Sequence, residues 1–167
     1  ECVLATRDGS LFTADWRGGV AQIGADGTQS LYLGTLAGGR ALRPNGIALR
    51  RDGMFLLADL GETAGGVFAP GRVEPFIVEV DGVELPPTNF VFEDDRDRVW
   101  ITVSTRHVPR ASAYRADVAD GFIVLVDERT GRVIVDDAQG DELARIDTGV
   151  RSVLDSAVVD STAVVVS

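Results

Sequence analysis

The chain has 167 residues and a formal net charge of −10, with 16 Arg and no Lys against 18 Asp and 8 Glu. That balance argues against binding polyanions, so neither a general nucleic-acid role nor adsorption to an acidic membrane is expected. A 45% hydrophobic content spread along the chain is that of a globular domain, and no apolar run nears the roughly 18 residues of a membrane span.

In chain order, the first signal is a turn at Asp8-Gly9, followed by the run Ser10 to Asp15. Gly18-Gly19 then opens a second run to Ile23, and Gln29 to Leu33 reads as a third. Short runs rich in β-branched and aromatic residues between Gly and Asp turns predict strands. The pattern returns 44 residues later as Asp52-Gly53 and Met54 to Asp59, preceded by a strand over Gly46 to Leu49. Gly65-Gly66-Val67-Phe68 and Val73 to Ile77 follow it. A third copy runs from Asp97 to Ser104, offset by 45 and lacking the glycine, with a strand over Asn89 to Phe92 before it. After the polar loop Ser104 to Arg110 and an irregular excursion over Ala111 to Ala119, strands are expected at Phe122 to Val126 and Arg132 to Val135. A weak fourth copy spans Asp147 to Asp155. From about Gly140 the chain departs from the earlier pattern, and the Ser156 to Ser167 tail continues it poorly.

Each unit of about 45 residues thus carries about four short strands, the size of a β-propeller blade. The expected fold is all-β, a single domain over 1–167 with blade-like units at 1–44, 45–88, 89–138 and 139–167. A β-sandwich with look-alike hairpins is the alternative. Propellers usually close with 4–8 blades, and this length makes about 3.7. The expectations are a fragment, an unusual closure, or a homo-oligomer that completes the ring. A first residue of Glu rather than Met also suggests a trimmed or incomplete chain. The lone Cys2 cannot form an internal disulfide, and no signal peptide is visible. Those two features lean towards the cytoplasm.

Motifs of the common catalytic kinds are absent, and one His with one Cys leaves no Cys/His zinc site. Oxygen donors remain, and they suit hard cations such as Ca²⁺. The polar residues that open the innermost strand of each unit are Glu1, Asn45 and Asn89, with Asp141 as the fourth candidate. On a propeller they would converge on the axis. Asn45 in Pro44-Asn45-Gly46 and Asn89 after Pro86-Pro87-Thr88 can equally be turn residues. His107 reads either as a site residue or as a solvated loop histidine.

At these positions the chain resembles the senescence-marker-protein, gluconolactonase and luciferin-regenerating-enzyme family of six-bladed propellers. The likeness rests on Glu1 to Gly19, Arg43 to Leu49, Leu85 to Phe90, Val99 to Arg106 and Asp120 to Val124. The resemblance implies a divalent-metal-dependent hydrolase of sugar or related lactones. The cation would be Ca²⁺ first, with Zn²⁺ or Mg²⁺ as alternatives, held by Glu1, Asn89 and, in place of a second Asn, Asp141. Asn45, Arg106 and His107 would contact the lactone. The family's final Asp, near the metal and able to act as base, would fall in a blade that this sequence does not contain. A non-catalytic propeller module that binds a partner through a face or open edge is the alternative function.

Overall fold

The computed structural model describes residues 2–36, 38–61, 66–69 and 73–147, the backbone alone over 66–69. The weak fourth copy and the tail lie outside them. The first sheet is a meander of β1 (Val3–Ala5), β2 (Leu11–Asp15), β3 (Gly19–Ile23) and β4 (Gln29–Leu33). The second repeats it with β5 (Pro44–Leu49), β6 (Phe55–Asp59), β7 (Gly66–Ala69) and β8 (Glu74–Ile77). A small hairpin of β9 (Glu79–Val80) and β10 (Val83–Glu84) leads to the third sheet. That sheet has five strands in sequence order: β11 (Thr88–Glu93), β12 (Arg98–Val103), β13 (Phe122–Asp127), β14 (Arg132–Asp137) and β15 (Glu142–Asp147). A 3-10 turn, Arg110–Ala113, sits in the β12–β13 connection. No described helix is long and apolar enough to cross a membrane.

Every strand pairs antiparallel with its neighbour in sequence, and the first strands of successive sheets pack together, β1 on β5 and β5 on β11. That is the blade arrangement of a propeller rather than a sandwich. The repeat is kept to the residue. Val3 faces Thr13, Ile47 faces Leu57 and Val91 faces Ile101, each pair 44 positions after the last.

The turns explain why. Asp8 and Asp52 accept hydrogen bonds from the amides of Ser10 and Met54 at 3.0 and 2.9 Å, and Gly9 and Gly53 take φ of +87° and +85°. In the third sheet Asp97, with φ of +57°, stands 44 residues after Gly53. The true offset is therefore 44 and not 45. Asp97 holds the glycine position, which a short polar side chain tolerates. Asp94 supplies the side-chain cap there by accepting from the Arg96 amide at 2.9 Å.

The core lies between the sheets. Leu4, Phe12 and Val20 of the first sheet meet Ile47, Phe55 and Leu57 of the second, together with Cys2. Ala48, Leu56 and Ala58 on the other side of the second sheet meet Val91, Val99, Ile101, Val124, Val133 and Val135 of the third. All five residues of β6 are buried, so this strand is the middle layer of three. Close approach of the first strands needs Gly46, because a Cβ there would lie 2.6 Å from the Phe90 Cα.

The expected fourth unit does not open at 139. Asp137 and Gly140, the latter with φ of +86°, form a tight turn that sends β15 back along β14 as the outermost strand of the third sheet.

Two charged clusters sit inside this frame. The Asp59 carboxylate is fully buried, accepting from Arg40 Nη1 at 2.8 Å and from the Arg43 amide at 2.7 Å. Its carbonyl accepts from Thr88 Oγ1 at 3.0 Å. At the opposite end of the strands Arg50 lies 2.7 Å from Glu128 and 3.7 Å from Glu93, all three nearly buried. Burial raises both carboxyl pKa values, and Arg50 only partly opposes it.

Asp59→Ala removes two hydrogen bonds to one buried charge and should cost about 2–3 kcal/mol in urea denaturation, against under about 1 kcal/mol for Asp8→Ala at an exposed turn. A carboxyl with a raised folded pKa stabilises fully at low pH, and that stability is lost as pH rises from its ordinary value through the folded one. Glu93→Gln should therefore gain on the wild type as pH climbs from below 4.5 towards neutrality, read as a widening difference in denaturation midpoint.

Candidate functional site

β5 and β11 each begin with a bulge. The register slips between Pro44 and Gly46, and again between Thr88 and Phe90. The residues left out of the ladders are Asn45 and Asn89, again 44 apart. A bulge re-aims the side chain it frees, and bulges gather beside functional sites. Here Asn45 Nδ2 donates to the Asn89 carbonyl at 2.9 Å and to Asn89 Oδ1 at 3.3 Å. Both residues lie in strands, so the turn reading of Pro44-Asn45-Gly46 does not hold.

The pair lines an open cleft of about 660 Å³ at the end of the first strands. Asp15 and Trp16, where β2 ends, form another wall, and Arg110 from the long β12–β13 connection closes the third. Trp16 is 63% exposed. Arg110 Nε is buried with no hydrogen-bond partner among the described residues, so it is a donor in want of an acceptor. Asp15 is the reverse case. Arg17 grips it through Nε at 2.9 Å and Nη2 at 2.6 Å, with its amide at 2.8 Å, and holds the carboxyl down to about 2. A carboxylate that acidic is a weak general base at neutral pH.

The other expected site residues are elsewhere. Arg106 lies over the Phe122 ring at 4.3 Å and lines a separate, mainly apolar cleft of about 800 Å³ with Val80, Leu85 and Val135. His107 is 43% exposed, and its Nε2 stands 3.8 Å from Asp120 Oδ2. The Asp120 carboxyl is lowered chiefly by a hydrogen bond from the Thr105 side chain; burial, the next-largest effect, opposes it, and the Arg106 amide and His107 add smaller lowering. Asp141 belongs to the β14–β15 turn, where its amide donates to Asp137 Oδ1 at 2.9 Å. Three inter-strand steps, roughly 14 Å, separate that rim from β11. It therefore does not join Asn89, and the reason is the tight turn that folds β15 outward. Glu1 lies outside the described residues.

Among the described residues, no group of three or more His, Cys, Asp or Glu side chains is placed to hold a metal ion. A hard cation takes six to eight oxygens, carboxylates prominent among them. The described part of the cleft offers amide oxygens and one carboxylate already neutralised by Arg17, which do not by themselves make that ligand set. Sequence reasoning missed Asp15, Trp16 and Arg110. The matching ends of the first two copies, Asp15 and Asp59, were a signal for Asp15. Nothing in the loop Ser104 to Arg110 distinguished Arg110 from Arg106.

No protein-family model matches the sequence, and no curated protein matches it. Among solved structures, the chain is similar to a catalytically inactive virginiamycin B lyase from Staphylococcus aureus determined with quinupristin. The identity is 12% over 87% of this chain and 54% of that one, with a TM-score of 0.47. A streptogramin B lyase structure matches at 13% identity over 87% and 53%, with a TM-score of 0.44. The chain spans about half the length of these two structures. Likeness at this level says nothing about the activity of this chain, and the blade architecture rests on the strand order and register above.

Proposed function

We propose that the cleft at the ends of β5 and β11 binds a small, oxygen-rich ring of the sugar-lactone class. The observation that carries this reading is the Asn45–Asn89 pair, two hydrogen-bonded amides set at matching bulges that line one cleft. Amides donate and accept, as ring hydroxyls require. The exposed face of Trp16 offers an apolar wall for the ring. The Arg110 guanidinium, on the third wall of the cleft, suits a carbonyl oxygen, and in a hydrolysis it would stabilise negative charge building there. Water attack also needs a base. Asp15 is too acidic for that role, so turnover by the described residues alone is weak.

The resemblance to lactonases extends the proposal to a divalent cation that supplies Lewis-acid chemistry when bound, with Asn89 and Glu1 as its ligands. A non-catalytic binding module is the second reading, favoured by the clamp that Arg17 puts on the cleft's carboxylate.

Calorimetric titration with gluconolactone should show saturable binding. Arg110→Ala should weaken it about tenfold, the loss of one charge-assisted hydrogen bond. Hydrolysis assayed with added Ca²⁺ and again with EDTA separates the two readings. Turnover abolished by EDTA supports the lactonase, and binding without turnover supports the module. Failure of any sugar or aliphatic lactone to bind overturns the lactone reading and leaves the module that binds a partner through a face or open edge.

A further inference from the structure

The cleft beside Arg106 is where the core between the second and third sheets reaches the surface. Its floor is Val80 and Leu85 from the β9–β10 hairpin segment with Phe122 and Val135 of the third sheet, all buried and all part of that core. Val83 and Leu143, 66% and 51% exposed, stand at its mouth. At about 800 Å³ it falls within the roughly 300–1,000 Å³ of small-molecule sites.

Three charged residues line it: Asp81, Glu84 and Arg106. The two acids belong to the outer rim. Asp81 sits in the hairpin turn with φ of +53°, and Glu84 pairs with Glu79, one position out of step with the Val80–Val83 pair. Strand alternation therefore turns Glu84 to the side away from the floor, and both acids are exposed. Arg106 instead stands on the floor, its guanidinium 4.3 Å from the centre of the Phe122 ring.

Among the described residues, three arginines lie over aromatic rings: Arg50 over Phe76, Arg98 over Trp100 and Arg106 over Phe122. Arg50 also meets Glu128 at 2.7 Å, and Arg98 meets Asp94 at 2.6 Å. Arg106 has no such carboxylate among the described residues. Asp120 takes its backbone amide at 3.0 Å and not its guanidinium. A fork of N–H donors held over a ring, next to a buried apolar floor, suits a carboxylate that carries an apolar body.

We propose that this cleft binds a small apolar monocarboxylate, of the medium-chain or arylalkanoic acid class. The carboxylate pairs with Arg106, and the hydrocarbon lies on Val80, Leu85, Phe122 and Val135. The rim acids, on a chain of net charge −10, repel a second negative group, so the class has one charge at one end. This does not rest on the lactone reading, which uses the other cleft.

Calorimetric titration of the full chain with octanoate tests this, and saturable binding is expected. Hexanoate, with two fewer methylenes to bury, should bind about tenfold more weakly. Octanamide, which lacks the charge, should also lose about tenfold, and suberate, with a carboxylate at each end, at least as much. Arg106→Gln should cost octanoate about tenfold and leave octanamide within about twofold, a split that a merely structural role would not produce. Val83→Asp, at the exposed mouth, should weaken both ligands while circular dichroism keeps its strand signal. Octanamide binding as tightly as octanoate, or Arg106→Gln leaving octanoate unchanged, overturns the proposal. Absence of octanoate binding overturns it too. So does binding that emerges only once limited proteolysis removes residues 148–167, which would make that segment the occupant. A doubled mass that Val83→Asp returns to 17.7 kDa would give the cleft to a second copy and likewise overturn it.

Discussion

The carboxylate of Asp59 is the point on which the arrangement turns. It stands at the end of an inner strand of the middle sheet, fully buried. Burying it is tolerable because a guanidinium and a backbone amide meet it directly. Those two donors belong to the segment that carries the chain from the first sheet to the second. The carbonyl of the same residue takes the hydroxyl of Thr88, where the third sheet begins. One residue thereby ties together the starts of β5 and β11. Asn45, two residues past Arg43, and Asn89, next after Thr88, end up within hydrogen-bond reach of one another.

The two ends of the strands use charge in opposite ways. At the cleft, Arg17 keeps Asp15 ionised far below neutrality, and Arg110 lines the same cleft. At the far end one guanidinium, Arg50, is shared between two buried carboxyls that burial pushes towards the neutral form. The proposed ligand chemistry uses the first end. The second is a closed cluster whose cost is met by packing.

Much of this was legible because the repeat is so regular. Turn residues and alternating strands mark all three sheets, and the spacing of 44 puts Asn45 and Asn89 at equivalent places in the repeat. The misses have physical causes. Asp97 was aligned one position late because Asp most often caps a turn, whereas here it fills the left-handed position of the lost glycine. Asp141 has the sequence position of a strand-opening residue, but the turn at Asp137 to Gly140 reverses the chain and spends the next strand on the rim. Arg106 and Arg110 are four residues apart in one loop, and only the fold decides that one stacks on Phe122 while the other reaches the cleft. A loop has no periodicity from which such a choice can be read.

The complete burial of β6 sets an order for how the molecule can open. The outer sheets can each fray while the rest stays packed, since each has one face already in solvent. β6 loses its cover only if both neighbours leave. Its backbone amides should therefore be the last to exchange with heavy water, at the free energy of global unfolding, while those of β4 and β15 exchange through smaller local openings.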